Sequence, residues 1–288
     1  MFLGRTASKQ SNVRNSNVNN ETTNNDQAPM KKMSTSSKPT SIDLQGTEIH
    51  FPFKPYDCQL EYMNKVIGAL NRSENALLES PTGTGKTLCL LCSTLAWQEQ
   101  QKRLSNESSK IAVDTIGDGA SQPVHNNIPT IIYASRTHSQ LSQVVKEMRF
   151  TRYRPKHAVL GSREQMCVHP KVKTAKATSS DIDHNCTRLN KERKCRFRNN
   201  LDGFMVNGPE ENGLQPVLDI EELVDLGKKR KVCPFYLTRN QIATAEILFL
   251  PYNYLFSKDA RSSTLAEVNW ANSIIVFDEA HNLESFGE

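Results

Sequence analysis

A strand-like run, a glycine-rich turn and an apolar helix pattern follow one another directly, and this segment constrains the fold more than any other feature of the 288-residue chain. The run NALLE occupies residues 75–79, the turn SPTGTGKT residues 80–87, and the apolar pattern residues 88–97. Gly83 and Gly85 permit backbone torsions that turn N–H groups toward an anion. The N-terminus of the following helix adds the positive end of its dipole. The segment therefore predicts a phosphate-binding loop at the end of a strand.

The residue types in this loop predict individual roles in a nucleotide site. Lys86 is expected to contact the β- and γ-phosphates, and the Thr87 hydroxyl is expected to bind Mg²⁺. Ser80 stands where such loops usually begin with glycine, and an ordinary glycine-rich turn is the alternative interpretation. The predicted nucleotide-binding residues of the loop are Ser80, Pro81, Thr82, Gly83, Thr84, Gly85, Lys86 and Thr87.

Strand and helix signals alternate through the rest of the chain. Apolar runs with the length of buried strands occupy residues 130–134, 157–160, 246–250 and 273–277. The helix signals are apolar spacing over residues 60–70, a capping box at Thr137 and Gln140, and a helix start at Asp219 and Glu222 with a stop at Gly227. This alternation predicts an α/β fold with a parallel sheet and helices on both faces.

A second chemical motif, D-E-A-H, comes directly after the last apolar run. A carboxylate at the end of a buried strand can orient Mg²⁺-bound water, and we assign that role to Asp278. Glu279 is expected to position or deprotonate the attacking water, and His281 to sense the phosphate state. Together with the phosphate loop, the motif indicates a nucleotide triphosphatase of the helicase type rather than a kinase or a small GTPase.

Two further polar segments allow a functional and a structural interpretation. In SRTHSQ, the side chains of Arg136, Thr137 and Ser139 could bind a nucleic-acid phosphate at a helix N-terminus, but the same residues also satisfy a simple capping box. Gln59, just ahead of the first helix, has the donor and acceptor needed to read an adenine edge. A solvent-facing glutamine is the alternative for that position.

Polar composition marks two segments outside the α/β pattern. Residues 1–45 contain seven Asn, seven Ser and five Thr and one aromatic residue. Such a segment buries too little apolar surface to offset its chain entropy, so a disordered tail is predicted. Residues 98–127 are also polar and are predicted to form a surface loop. No apolar run reaches about 18 residues, so no membrane span is expected.

Positive charge is concentrated in one region of the chain. The formal net charge is +5 overall, whereas residues 146–200 contain fifteen Lys and Arg against five Asp and Glu, a net +10. Clustered cations favour contacts with nucleic-acid phosphates. A solvated charged surface is the alternative for many of them.

The seven cysteines form two groups. Cys89 and Cys92 lie in the apolar pattern after the loop and are expected to pack in the core, as is Cys58. The other four are separated by 18, 8 and 37 residues in polar or basic surroundings: Cys167, Cys186, Cys195 and Cys233. Paired knuckles typical of structural zinc are absent, whereas iron–sulfur clusters follow looser spacing rules. From spacing alone, metal binding and four unrelated cysteines are equally open.

The ordered motifs FPFKPYDCQ, ESPTGTGKT, YASRTHSQL, VLGSREQMCVHP, VCPFY, PYNYL and VFDEAH, within residues 48–286, carry a family resemblance. Their series resembles the N-terminal half of the iron–sulfur superfamily-2 DNA helicases, which include the xeroderma-pigmentosum group D, Fanconi group J and chromosome-loss types. YASRTHSQLSQV and LDIEELVDLG most resemble the branch that regulates telomere elongation.

The resemblance implies a RecA-like P-loop domain interrupted by a small, mostly helical iron–sulfur domain. Its expected boundaries are 1–45 for the tail, 46–160 for the first part of the RecA-like domain, 161–240 for the insertion, and 241–288 for the incomplete continuation through DEAH. It also implies that Cys167, Cys186, Cys195 and Cys233 ligate a [4Fe–4S] cluster and that Gln59 contacts adenine. Arg163 joins the expected DNA contacts.

The implied activity is ATP-dependent 5′→3′ DNA unwinding in the nucleus, with ATP, Mg²⁺ and the cluster as cofactors. Single-stranded, forked or looped DNA and replication or repair proteins are the implied partners, in DNA repair, recombination control and telomere maintenance. An arch domain and a second RecA-like domain are expected after residue 288, so this chain alone is expected to bind nucleotide weakly and not to unwind DNA. A truncated, non-catalytic nucleotide- or DNA-binding product is the alternative, and zinc is the alternative to the cluster.

Overall fold

The computed structural model describes residues 2–5, 39–115, 128–206 and 217–284. Its strands are β1 (Phe2–Arg5), β2 (Thr40–Leu44), β3 (Thr47–Phe51), β4 (Ala76–Leu77), β5 (Thr130–Ser135), β6 (His157–Val159), β7 (Ile247–Pro251) and β8 (Ser273–Phe277). Its helices are α1 (Asp57–Arg72), α2 (Lys86–Thr115), α3 (His138–Phe150), α4 (Arg163–Met166), α5 (Ser179–Lys191), α6 (Arg196–Asn199), α7 (Leu201–Val206), α8 (Ile220–Arg230), α9 (Pro234–Gln241), α10 (Asn253–Phe256) and α11 (Lys258–Ser263).

The main sheet has the strand order β4-β1-β8-β5-β7-β6. β8, β5, β7 and β6 are parallel, and β1 runs antiparallel to both of its neighbours. The predicted α/β fold with a parallel sheet is therefore confirmed. Since the carboxyl ends of parallel strands meet at one edge, the segments after β5, β7 and β8 lie together.

Alternate residues of the central strands face two different apolar layers. Tyr133, Phe249 and Val276 belong to the cluster formed with α1, α2 and α3. Ile132 and Leu248 belong to the opposite cluster, which includes residues of α10. Both faces of the sheet are therefore buried, which explains why these strands read as continuous apolar runs.

The helix signals place α1, α3 and α8 correctly. Thr137 is the N-cap of α3 and forms a capping box with Gln140, and Asp219 is the N-cap of α8 and accepts from the backbone N–H groups of Glu221 and Glu222. These caps satisfy N–H groups that the first helical turn leaves without a partner. α1 keeps the predicted apolar side inward.

The polar segment 98–127 differs from its prediction as a surface loop. Its first part, residues 98–115, continues α2, because Gln, Glu, Lys and Arg are good helix formers even where no apolar stripe is visible. Gln98 donates to the carbonyls of Pro129 and Glu246, at 2.7 and 2.8 Å, and Lys102 pairs with Glu246 at 2.6 Å. These contacts join the helix to the start of two strands. Residues 116–127 lie outside the described residues.

The predicted disordered tail also differs from the structure at both of its ends. Residues 2–5 form β1 between β4 and β8. Residues 40–44 form β2, which pairs with β3 in a hairpin and packs Ile42 and Leu44 against the core. The sequence-based prediction missed both strands because each is short and lies beside a long polar stretch, and β1 also depends on partners far away in sequence. Residues 6–38 lie outside the described residues.

The described part of segment 161–240 is helical, from α4 to α9. Gly227 does not end α8 as predicted, because the helix continues to Arg230 and Lys231 adopts the left-handed cap. A Cβ atom on Gly227 would lie 2.4 Å from Cγ of Pro234, so the glycine allows α8 and α9 to approach closely. Within the described residues, no helix combines the length and apolarity that crossing a membrane requires.

Candidate nucleotide site and cysteine cavity

The predicted phosphate loop connects β4 to α2. Gly83 and Gly85 have φ angles of +82° and +75°, which favour glycine. Lys86 donates from Nζ to the Ser80 carbonyl at 2.8 Å, so its ammonium group lies against the loop. Thr84 donates to the Pro81 carbonyl at 2.9 Å. The loop therefore has glycine-dependent torsions and internal hydrogen bonds that fix its turn.

Gln59 lies directly beneath this loop and is 4% exposed. Its Nε2 donates to the Thr84 carbonyl at 2.9 Å, and its Oε1 accepts from the Tyr56 backbone N–H at 3.0 Å. A Cβ atom on Gly85 would lie 2.9 Å from the same Nε2. Gln59 thus joins the start of α1 to the phosphate loop, which excludes a solvent-facing glutamine.

Asp278 lies at the carboxyl end of β8, as the motif predicted, and is 6% exposed. Its Oδ2 accepts a hydrogen bond from the Tyr133 hydroxyl at 2.9 Å. The Tyr252 hydroxyl donates to its backbone carbonyl, and its own N–H donates to the Ala134 carbonyl at 2.9 Å. Residues from β5 and from the end of β7 therefore fix both the main chain and the side chain of Asp278.

Burial, hydrogen bonding and neighbouring charges all shift the pKa of the Asp278 carboxyl. Burial raises its pKa, the hydrogen bond from Tyr133 lowers it, Glu279 raises it, and the positive charge of Lys86 lowers it. The net shift is upward. Lys86, which makes the smallest of these contributions, belongs to the phosphate loop.

The residues after Asp278 form a short polar network. Glu279 has φ +55°, an uncommon conformation for a residue other than glycine. His281 Nδ1 lies 3.4 Å from Glu279 Oε2. Asn282 Nδ2 donates to the Glu279 carbonyl at 3.0 Å and lies 3.1 Å from His281 Nε2, while its Oδ1 accepts from Arg136 Nη1 at 3.0 Å.

The SRTHSQ segment follows β5 at the same edge of the sheet. The Thr137 hydroxyl accepts from the Gln140 backbone N–H at 3.3 Å and donates to Gln140 Oε1 at 3.2 Å, so it is engaged in capping. Arg136 and Ser139 are exposed. The structural interpretation of this segment therefore holds for Thr137, and the proposed phosphate contacts depend most on its two exposed neighbours.

The four candidate ligand cysteines line one small cavity. Cys167 ends α4, Cys195 and Cys233 are the N-caps of α6 and α9, and Cys186 lies within α5. Apolar and aromatic side chains complete the wall: Val168, Val172, Leu189, Phe197 and Tyr236. The fold thus collects four thiols that are far apart in sequence.

The pKa shifts of the thiols are consistent with their position around one cavity. Burial, with smaller contributions from the other three cysteines of the cavity, raises the pKa of Cys233 to about 11. Burial also raises the pKa values of Cys167 and Cys186, each with an additional contribution from Cys195. In the described part of the chain, no three His, Cys, Asp or Glu side chains are arranged around a single metal ion.

Arg163 lies beside this cavity rather than on an open surface. Its guanidinium pairs with Asp183 at 3.2 Å and lies 4.6 Å from the centre of the Phe235 ring. A hydrogen bond and the charge of Arg163 lower the pKa of Cys186, against the larger effect of burial. These contacts hold the Arg163 side chain beside the cysteine cavity, and its direct contact with DNA stays a prediction.

The remaining cysteines and the basic region were predicted in part. Cys89 and Cys92 are buried on α2, as expected, but Cys58 is exposed and was wrongly assigned to the core. Many cations of the basic region have acidic partners in the structure. These pairs are Lys146 with Asp219, Arg149 with Glu222, Arg152 with Glu99, Arg163 with Asp183, Arg188 and Lys194 with Glu192, and Arg198 with Asp202.

Three residues of the site have no counterpart in the sequence prediction: Tyr133, Tyr252 and Asn282. A tyrosine inside an otherwise apolar strand is a usable signal for the first, because a buried phenol needs a hydrogen-bond partner. The partner itself depends on which strands are neighbours. Asn282 carries no comparable signal.

Comparisons with known proteins agree with the motifs. The family profile DEAD_2 matches residues 133–288, which is more than half of the sequence. The regulator of telomere elongation helicase 1 of Mus musculus is 47% identical over 264 residues, covering 86% of this chain and 21% of that protein. The Homo sapiens protein of the same name is 46% identical, with the same coverage.

More distant relatives extend the comparison. The Arabidopsis thaliana homolog is 43% identical over 264 residues, covering 88% of this chain and 25% of that protein. A solved structure of an XPD helicase covers 81% of this chain and 34% of its own, with 22% identity and a TM-score of 0.48. The chain spans a fifth to a quarter of the length of these curated relatives. The extent of the DEAD_2 match, together with the relatives, shows that the chain belongs to the DEAD_2 family of helicases.

Proposed function

We propose that this chain forms the ATP-binding part of an ATP-dependent 5′→3′ DNA helicase. The observation that carries the proposal is that the chain combines a phosphate loop with glycine-dependent torsions, ending in Lys86, and a buried carboxylate at the end of a parallel strand, Asp278. A cation for phosphate and a carboxylate for a metal ion on facing segments are the minimum that nucleotide hydrolysis requires. Membership of a helicase family supports the same activity.

Each side chain of the site has a role in this proposal. Lys86 and the N–H groups of residues 83–87 bind the β- and γ-phosphates, and Thr87 and Asp278 bind Mg²⁺ directly or through water. When bound, Mg²⁺ neutralises charge that develops on the transferred phosphate. Glu279 accepts a proton from, or orients, the attacking water. His281, beside Glu279, responds to the loss of the γ-phosphate.

Gln59 contributes to adenine binding in this proposal, but its amide is occupied by Tyr56 and Thr84. Nucleotide binding therefore requires the amide to exchange one of these partners for the base. This links recognition of adenine to the torsions of the phosphate loop.

Nucleotide binding to the purified chain tests the proposal. Titration of a fluorescent ATP analogue with Mg²⁺ should show saturable binding that Lys86→Ala weakens by at least about tenfold, about 1.4 kcal/mol. Lys65→Ala is the matched control, because Lys65 is exposed and pairs only with Glu61 on α1. Equal affinity of wild type and Lys86→Ala would contradict the proposed site.

The DNA side of the proposal depends on exposed cations. Arg136 lies at the sheet edge next to the DEAH motif, so single-stranded DNA bound there would lie close to the nucleotide. Arg136, Ser139 and the N-terminal N–H groups of α3 bind the DNA phosphates in this proposal. DNA repair, recombination control, telomere maintenance and a nuclear location follow from the proposed relationship with the telomere helicases.

A non-catalytic nucleotide- or DNA-binding product is the second candidate. Hydrolysis of ATP with and without single-stranded DNA separates the two. In the helicase proposal, the arginine that completes catalysis comes from a second RecA-like domain. Adding that domain should therefore produce DNA-stimulated hydrolysis that Glu279→Gln abolishes. If hydrolysis stays absent in the extended protein, the non-catalytic candidate is correct.

The cysteine cavity is assigned to a [4Fe–4S] cluster in the same proposal. Cys167, Cys186, Cys195 and Cys233 would be its ligands, and their thiols fit because all four line one small cavity. A bound cluster cross-links the helices of the insertion. Arg163 stabilises the thiolate of Cys186, since its charge already lowers that pKa.

Metal analysis of anaerobically purified chain tests this assignment. Iron and sulfide in equal amounts, without zinc, are expected, and Cys186→Ala should lose both. Cys92→Ala is the matched control, because Cys92 is buried on α2 away from the cavity. Stoichiometric zinc, or iron that survives the Cys186 substitution, would contradict the cluster.

A further inference from the structure

Asn282 occupies a position between the two polar segments at the carboxyl edge of the sheet. It follows the DEAH motif, and its side chain reaches Arg136 in the segment after β5, 146 positions earlier in the chain. Its other side-chain contacts are to the Glu279 carbonyl and the His281 ring. One amide therefore touches both the proposed DNA-binding segment and the proposed catalytic segment.

The two ends of this amide are chemically different. Oδ1 accepts from Arg136 Nη1 at 3.0 Å, which is a charge-assisted hydrogen bond. Nδ2 donates to the Glu279 carbonyl at 3.0 Å, while the Asn282 backbone N–H donates to the same carbonyl at 3.0 Å. The carbonyl of Glu279 is thus bound twice by Asn282, at a residue whose own backbone is left-handed.

A DNA phosphate at Arg136 would compete with this arrangement. Arginine binds phosphate through two parallel hydrogen bonds, which are stronger than a single bond to a neutral amide. Arg136 is exposed, so a phosphate can reach it. Withdrawal of its Nη1 from Oδ1 removes one of the contacts that hold the Asn282 amide, and the contacts to Glu279 and His281 change as a result.

On the basis of the proposed function, we infer that Asn282 is a positioning residue. It couples DNA binding at Arg136 to the conformation of Glu279 and His281. The coupling is a difference in nucleotide affinity between the DNA-free and DNA-bound chain. By linkage, nucleotide must change DNA affinity by the same factor. This identifies one residue through which the nucleotide and the DNA influence each other.

The test measures nucleotide affinity of the 288-residue chain in the absence and presence of saturating single-stranded oligonucleotide, with Mg²⁺ and a non-hydrolysable ATP analogue. In wild type, DNA should change this affinity by roughly fivefold or more. Asn282→Ala should bring the ratio close to one. Asn282→Asp keeps an acceptor for Arg136 but removes the donor to Glu279, so it should also lose the coupling. Asn64→Ala is the control and should behave as wild type, because the Asn64 side chain accepts a hydrogen bond from Gln45 Nε2 outside both polar segments.

A double-mutant comparison distinguishes coupling from general damage. Arg136→Ala and Asn282→Ala act on one contact, so the double variant should lose no more coupling than either single variant. Unchanged melting temperatures of the variants show that they are folded. A wild-type ratio in Asn282→Ala, or independent effects of the two substitutions, would overturn the inference while leaving the proposed function intact. If wild type binds neither nucleotide nor DNA, both fail.

Discussion

Replacing Tyr133 with phenylalanine removes one hydroxyl from the interior and tests how Asp278 is stabilised. Tyr133 is fully buried, and its hydroxyl donates to Asp278 Oδ2 at 2.9 Å. A hydrogen bond to a charged group contributes about 1.5–3 kcal/mol. Phenylalanine has nearly the same shape but no hydrogen-bond donor. The substitution therefore removes stabilisation from the ionised carboxylate of Asp278. The pKa of Asp278, already raised by burial, should therefore rise further.

The pH dependence of this loss follows from the sign of the interaction. The Tyr133 hydroxyl lowers the pKa of Asp278, so its stabilisation is present when the carboxyl is ionised and disappears as pH falls through the folded-state pKa. Denaturant unfolding should therefore show Tyr133→Phe less stable by about 1.5–3 kcal/mol near pH 7, with a smaller difference near pH 4.5.

A second buried tyrosine provides the control for this experiment. The Tyr153 hydroxyl accepts from the His50 backbone N–H at 2.9 Å, a neutral partner. Tyr153→Phe should lose stability to a similar extent at both pH values. If Tyr133→Phe behaved in the same pH-independent way, or lost no stability, the proposed support of the ionised Asp278 would be refuted.

Two further substitutions test how the insertion packs. Gly227→Ala should destabilise the chain by about 1–3 kcal/mol, because its Cβ would lie 2.4 Å from Pro234 Cγ. Gly203→Ala should be neutral or stabilising by up to about 1 kcal/mol, since nothing lies within 4 Å of its Cβ, and equal midpoints for both variants in urea would contradict this packing. Asp219→Ala should cost about 2 kcal/mol or more, because its carboxylate caps α8 and accepts from Ser142 at 2.7 Å. Asp219→Asn keeps the cap and should retain part of this stability in the same assay, so equal losses for both Asp219 variants would argue against the cap.

Local chemistry explains why much of the fold could be predicted. β5, β7 and β8 are continuous apolar runs because both sheet faces are covered, and Thr137 and Asp219 mark helix starts through their own side chains. The phosphate loop and the DEAH motif can also be recognised from their own short sequences. In each case the decisive interaction lies within a few residues of the signal.

The missed features depend on partners distant in sequence. Tyr133 reaches Asp278 because β5 and β8 are neighbours, with Tyr133 opposite Val276 and Asp278 two residues further on the same face. No pattern within either strand specifies that adjacency. Gly227 resembles a helix stop by composition, but α8 continues past it to Arg230. The close approach of Pro234, which no local pattern reveals, explains why this residue is a glycine. The same holds for Arg136 and Asn282, which meet across 146 positions.

The dependence of ATP affinity on Mg²⁺, compared between wild type and Asp278→Asn, tests the central claim that the phosphate loop and the DEAH motif form one site. Wild type should bind ATP at least about fivefold more tightly with Mg²⁺ than with a chelator. Asp278→Asn should lose most of this enhancement, because the amide is a weaker Mg²⁺ ligand, while Asp225→Asn on the exposed face of α8 should retain it. Full Mg²⁺ enhancement in Asp278→Asn would place the metal elsewhere and contradict the account.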